Sequence, residues 1–405
     1  MIDVQEAYTC VMQNALSPQI EILPLEKCQS KILQESIYAD RDFPPFDRVT
    51  MDGIAYRFEA IKDKDSQEVL LEVESLQTAG VAAHVLENTQ ACIEVMTGAV
   101  CPTNADTVTR YEDIEFVEKE GKRYARLMLA PKAKGQNVHT QGLDEKAGTE
   151  LIKAGVSIGP AEVAVAASVG KSVLKVSKPL SIGIISTGDE LVGIDEQPAP
   201  FQIRRSNTYA LLAALQQMHL QAQLYHLADE KNIILEGLRK ALSKHDVLIM
   251  SGGVSKGKKD YVPEVLEELG VEKLFHRVKQ KPGKPFWFGK NKEQKLVFAL
   301  PGNPVSTFMC FHRYVKPCLL ASMGSQIAPH YFAELSAEVK FSPPLTYYMQ
   351  VKISSTSEGK LLATPQEGQG SGDFANLLSC DAFMELPPEK NEFKQGEAYP
   401  IIFYR

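Results

Sequence analysis

Four cations fall within eight residues in Arg277-Val-Lys279-Gln-Lys281-Pro-Gly-Lys284, inside a chain whose formal net charge is -7. Pro282, Gly283 and Pro285 keep this stretch from forming a helix that would fan the charges around an axis. A rigid run of Arg277, Lys279, Lys281 and Lys284 suits a ligand with several negative oxygens. The competing reading is a solvated charge run. The interleaved prolines and the apolar Phe286-Trp-Phe288 that follows weigh against it.

Three glycine loops have the chemistry to share such a ligand. Ser186-Thr187-Gly188-Asp189-Glu190 ends an apolar run and offers hydroxyls, N–H groups and carboxylates. Ser251-Gly252-Gly253-Val-Ser255 lets the backbone approach a phosphate closely, but it matches neither the dinucleotide nor the P-loop fingerprint. Leu300-Pro301-Gly302-Asn303-Pro304 ends a third apolar run and opens a helix whose first N–H groups favour an anion. Asp260 lies just past the second loop, where it is either a helix cap or a carboxylate for a cation. Taken singly, each loop is also an ordinary strand-to-turn junction, and Asp52-Gly53 reads as a plain turn. The 8 histidines show no H-x-x-x-H or H-E-x-x-H, and the 7 cysteines no C-x-x-C, so zinc-type clusters are not indicated. Free, mostly buried thiols are the simpler expectation.

The elements that must carry these residues follow from apolar spacing. Helical periodicity covers 4–16, and a second helix is expected over 25–38. From about 69 to 129 the runs are short and strand-like, a small β domain. A short helix of small residues follows at 161–169. Three buried strands then end in the glycine loops, with helices expected at 209–218, 233–243, 262–269 and 305–320. That alternation indicates a parallel α/β sheet, whose ligands bind beyond the carboxyl ends of the strands. Past about 328 the period returns to two, as in a small terminal β-barrel or sandwich. The expected division is 1–45 with 140–176, then 46–139, 177–327 and 328–405.

Composition sets the outer bounds. A chain of 405 residues with 44% hydrophobic and 23% charged content reads as a multidomain globular protein. Its acidic balance argues against nucleic-acid binding. Asp3 and Glu6 stand where a signal peptide would carry Lys or Arg, and no apolar run reaches the ~18 residues of a membrane span. A cytoplasmic protein without membrane attachment is expected.

Taken in order, Phe46-Asp47, Met51-Asp52-Gly53, Met96-Thr97-Gly98, Ser186-Thr187-Gly188-Asp189-Glu190, Ser206-Asn207, Ser251-Gly252-Gly253 with Asp260-Tyr261, Lys281-Pro282-Gly283-Lys284-Pro285 and Leu300-Pro301-Gly302-Asn303-Pro304 form one series. The chain resembles the MoeA family, the molybdopterin molybdenumtransferases, whose eukaryotic relatives include the gephyrin E domain. The resemblance spans essentially the whole length. It implies an α/β plus β architecture: an elongated N-terminal region, an inserted small β domain, a central parallel-sheet molybdopterin-binding domain and a C-terminal β-barrel-like domain. It implies adenylated molybdopterin and molybdate as substrates, molybdenum cofactor and AMP as products, and Mg²⁺ as cofactor. Active-site roles carry over to Asp52, Thr97, Glu190, Asp229, Asp260 and Lys281, with Arg277 counted among the catalytic residues and Glu190, Asp229 and Asp260 as the metal ligands. Ser186, Thr187, Gly188, Ser251, Gly252, Gly253, Ser255, Lys279, Lys284, Pro301, Gly302 and Asn303 are expected to bind substrate.

The resemblance further implies a homodimer in which the N-terminal region of one subunit completes the other's site. It points to a molybdopterin adenylyltransferase and molybdoenzyme-maturation proteins as partners. Three places depart from the family pattern. Arg277 stands where many members have lysine, which replaces a point ammonium by a planar fork. Arg204-Arg205 precedes Ser206-Asn207 where an acid or amide is common. The text after Gln369-Gly-Ser-Gly-Asp373 is also unusual. The alternatives are an adenylyltransferase-like enzyme, disfavoured by the flanking regions, and a non-catalytic gephyrin-like scaffold, disfavoured by the acids and lysines present.

Overall fold

The structure, a computed structural model, describes residues 1–62, 64, 68–254, 261–326, 329, 331–368 and 370–405. It divides into two compact units, one of Met1–Glu35, Gly155–Pro160 and Val173–Arg405, the other of Ser36–Ala154 and Ala161–Ser172.

The larger unit is built on a six-stranded sheet in the order Ala222–Leu227, Ile182–Thr187, Val247–Ser251, Leu296–Leu300, Trp287–Lys290, Glu272–His276. The first four strands are parallel, as the buried apolar runs require. The last two turn back antiparallel at one edge, so the sheet is mixed rather than purely parallel. Helices Ser206–Gln217, Lys231–Lys244, Val262–Glu268 and Pro304–Cys310 cover its faces, each within a few residues of its expected position. The long helix expected at 305–320 is interrupted: Phe311–Val315 is a π-helical turn, and α-helix resumes at Lys316–Ser322.

The C-terminal part of this unit forms a closed barrel-like sheet. Thr346–Ser355 pairs with Leu361–Pro365 on one side and with Ala382–Leu386 on the other, and Tyr331–Leu335 and Ala398–Phe403 complete the circuit. Closure leaves few free edges, so short strands suffice. Met349, Val351, Ala382, Met384 and Phe393 fill its interior. One further strand, Gln280–Lys281, runs parallel to Thr346 and Tyr347. The cationic stretch is therefore hydrogen-bonded into the barrel sheet.

The smaller unit carries the strand-rich region: Thr107–Arg110, Gly53–Tyr56, Cys92–Val95, Leu70–Gln77, Lys122–Leu127 and Ile114–Lys119 in that order. Gly53 opens a central strand rather than only ending a turn. A Cβ there would fall 1.9 Å from the Thr109 carbonyl oxygen, which explains why no side chain is tolerated.

One expected helix does not form. Over 25–38 there is a single 3₁₀ turn, Leu25–Lys27, flanked by the strands Ile20–Pro24 and Ile37–Tyr38. Ser30 adopts a left-handed φ of 63°, which no helix interior accommodates. Ile32 and Leu33 instead bridge to Ser157 and Val176, so their apolar spacing serves extended chain. The helix at 4–16 stands as Val4–Gln13, capped by a reciprocal Asp3–Glu6 box. The 7 cysteines are all unpaired and all but Cys10 are buried. Among the described residues no helix is long and apolar enough to cross a membrane.

Candidate functional site

The carboxyl ends of three parallel strands bring their glycine loops together. Gly252 N–H donates to the Leu300 carbonyl (3.1 Å), joining the second loop to the third. A Cβ on Gly252 would lie 3.2 Å from the Thr187 carbonyl oxygen, and one on Gly302 would lie 3.7 Å from the Gly252 Cα. Gly252 and Gly253 hold φ of 98° and 73°, so both the closeness and the backbone conformation require glycine. Asn207 clamps the cluster. Its Nδ2 donates to Ser251 Oγ at 2.9 Å and to the Gly302 carbonyl at 2.7 Å. The Thr187 hydroxyl is buried at this junction and has no hydrogen-bond partner.

A polar row crosses the same edge. Parallel register sets Ser186 opposite both His226 and Ser251, and His226 Nδ1 lies 3.0 Å from Ser186 Oγ. Burial, followed by the nearby Arg205 guanidinium, holds His226 below the usual imidazole range, while Asp229 and Glu190 act in the opposite sense. Glu190 and Asp229 therefore both act on His226 from its surroundings. Asp189 is committed elsewhere: its Oδ1 accepts the Asp229 N–H at 3.0 Å. Among the described residues no three acidic, His or Cys side chains converge as a ready-made metal cage. Ser255 and Asp260, both expected at this edge, lie outside the described residues.

Next to the third loop is a cavity of about 440 Å³ between the sheet and the barrel. Lys281 and Lys284 line it from one side, Pro301 and Asn303 from the loop, and Tyr347, Gln350 and Ser371 from the barrel. Arg277 and Lys279 are not among its described walls. Both instead tie the N-terminus down through backbone hydrogen bonds with Ile2. Asn303 Nδ2 donates to Ser371 Oγ at 2.7 Å, closing the floor between sheet and barrel. The Lys281 ammonium sits 5.4 Å from the Phe341 ring centroid, and Phe341 stacks on Tyr347.

Gln280 holds the two lysines in place, although sequence reading did not single it out. It is fully buried between exposed Lys279 and Lys281. Its Nε2 donates to the Gly283 carbonyl at 2.9 Å, and its Oε1 accepts from Tyr314 Oη at 2.5 Å. Gly283 has φ of 90°, and a Cβ on it would meet Cys310 Sγ at 2.7 Å. The turn between Lys281 and Lys284 is therefore clamped onto the π-helical segment. Gln280→Leu removes two buried hydrogen bonds, each worth roughly 1 kcal/mol. We expect a lower unfolding temperature and about tenfold weaker binding of a small oxyanion, read by calorimetry; unchanged affinity would show that the clamp does not set the cavity.

Asp52 and Thr97 belong to the other unit and are joined directly there. Asp52 Oδ1 accepts both the Thr97 hydroxyl and the Thr97 N–H, each at 2.6 Å. The hydroxyl first, then the N–H, holds the Asp52 carboxyl below the ordinary carboxylate range. Thr97→Ala should move its titration, followed by carbon NMR, upward, while Thr97→Ser should leave it in place. Identical titration in Thr97→Ala would remove the hydroxyl as the cause.

The part of the chain that carries this sheet and its three glycine loops matches the probable molybdopterin binding domain over residues 183–321. On either side, the MoeA N-terminal region (domain I and II) matches 2–170 and the MoeA C-terminal region (domain IV) matches 333–404. The molybdopterin molybdenumtransferase of a Synechocystis strain is 40% identical over 373 residues, covering 92% of each chain. That of Staphylococcus aureus is 30% identical over 99% of this chain and 95% of its own. Crystal structures of a molybdopterin biosynthesis MoeA protein from Pyrococcus horikoshii superpose with TM-scores of 0.82 and 0.84, at 31% and 28% identity, over essentially whole chains. The chain belongs to the MoeA family, and its class is that of a transferase of molybdenum-cofactor biosynthesis.

Proposed function

We propose that this chain joins molybdate to adenylated molybdopterin, giving molybdenum cofactor and AMP with the help of Mg²⁺. The observation that carries the reading is the cavity walled by Lys281 and Lys284 beside the strand-end loops. The two substrates are both anionic, so their meeting is an electrostatic problem before it is one of bonding. Lys281 and Lys284 supply fixed positive charge. Gly252, Gly253 and Gly302 allow backbone to approach phosphate oxygens, and the unpartnered Thr187 hydroxyl is a further donor for them. Glu190 and Asp229, with Asp260, are the carboxylates we assign to the metal. Magnesium is bound through oxygen ligands and usually keeps several waters, so these carboxylates would share it with water and substrate phosphate, in part through water. When bound it supplies charge neutralisation at the leaving AMP phosphate. No Ser–His or Cys–His nucleophile is required.

Incubating the purified protein with adenylated molybdopterin, molybdate and Mg²⁺ should release AMP only when all three are present. No AMP release under these conditions would overturn the reading and favour the adenylyltransferase-like or scaffold alternatives, and release that is independent of molybdate would remove molybdate as the co-substrate. We also propose a homodimer in which Asp52 and Thr97 serve the partner's site. Mixing inactive Asp52→Ala and Lys281→Ala proteins should then restore part of the activity, whereas a self-sufficient monomer would stay inactive in the mixture.

A further inference from the structure

The π-helical turn Phe311–Val315 and the α-helix Lys316–Ser322 that follows it are flanked by two adjoining cavities, away from the strand-end loops, of about 330 and 260 Å³. His312 and Lys316, one turn apart, line both of them. His312 is 4% exposed, and neither ring nitrogen has a hydrogen-bond partner. Two orphan ring nitrogens at one buried side chain are unusual, because such groups normally cost about 1–3 kcal/mol each when left unpaired. Lys316 is half-buried in the same wall and makes no ion pair among the described residues. Burial alone holds its amine below the ordinary lysine range. Its proximity to His312 is felt by the imidazole, whose own proton affinity it lowers after burial has done so.

The composition of the larger cavity gives the sign of what is missing. Lys31, Ser30, Ser157 and Ser177 join Lys316 and His312 on its walls, and no Asp or Glu stands among the described ones. Lys31 already has a partner in Glu21 at 3.4 Å; Lys316 does not. Hydroxyl groups and two lysines, one of them without an ion pair among the described residues, form an environment short of negative charge. The cavity holds several water volumes, so water alone could enter, but water does not neutralise an ammonium.

We propose that this cavity is a second anion site, separate from the cationic loop, which takes a small oxyanion of the phosphate class against Lys316 and Lys31. The full chain is titrated with inorganic phosphate by calorimetry and by phosphorus NMR, in a Lys281→Ala/Lys284→Ala background that silences the loop cavity. Phosphate binding is expected to persist there, to raise the unfolding temperature, and to weaken at least tenfold on Lys316→Gln. Where Lys316→Gln fails to fold, Lys31→Gln should weaken binding instead. Loss of all phosphate binding in the background protein would overturn the proposal, since the loop would then be the sole site. Undiminished binding in the folded Lys316→Gln or Lys31→Gln protein would overturn it equally.

Discussion

Replacing Lys281 by alanine should lower kcat/KM for AMP release by about 10²- to 10³-fold, the range seen when one preorganised group facing developing charge is removed. The geometry makes this a sharp expectation. Lys281 faces the cavity from a strand locked to Thr346 and Tyr347, and Gln280 beneath it fixes the turn that carries Lys284. The backbone that carries the ammonium is therefore fixed in place on the cavity wall. Lys284→Ala should cost less, because its position is set by one end of the turn only. Lys279→Ala is the discriminating control: it carries the same charge two residues away but is absent from the described cavity wall. Steady-state kinetics in which Lys279→Ala and Lys281→Ala lose equally would show that net charge, not placement, is what matters.

A second large effect should appear in stability against pH. His312 is buried among Phe308, Phe311 and Tyr404, and its pKa is pushed down to about 3 from an ordinary 6.5 by burial and then by Lys316. The sign follows from proton counting. Below pH 6.5 the unfolded chain takes up a proton at this imidazole while the folded chain does not, until the pH nears 3. Stability from this residue is thus complete above 6.5 and is lost as the pH falls through the window from 6.5 to 3. Each unit of that fall costs about 1.4 kcal/mol, so on the order of 3 kcal/mol is gone by pH 4. Urea unfolding in oxyanion-free buffer at neutral pH and at pH 4 measures the loss. His312→Leu should flatten this part of the dependence, and an equal slope in both proteins would assign it to the carboxylates instead.

Much of the site was legible because its loops close buried apolar strands, and short apolar runs followed by glycine announce themselves. The placement of individual cations was not. Arg277, Lys279, Lys281 and Lys284 look equivalent in one dimension. Only the pairing of Gln280–Lys281 with Thr346 and Tyr347, far along the chain, decides which side chains face the cavity. Gln280 was invisible for the same reason, since a polar residue between lysines reads as surface until Tyr314 is brought over it by a π-helical turn. His226 escaped notice because the edge strand Ala222–Leu227 is half-exposed and lacks a continuous apolar run. The false helix over 25–38 arose from apolar spacing that fits two periodicities; Ser30 and the bridges of Ile32 and Leu33 decide for extended chain. Asp52 and Thr97 are 45 residues apart, and no local pattern announces their shared hydrogen bonds.

The strand Gln280–Lys281 belongs by sequence to the α/β region but by hydrogen bonding to the barrel. Substitutions near Thr346 or Tyr347 are therefore expected to shift the wall of the lysine-lined cavity, and with it the proposed anion affinity, while every lysine stays unchanged. Selection has a dial at the far end of the polypeptide, and relatives with identical cationic motifs are expected to differ in affinity through this remote stretch.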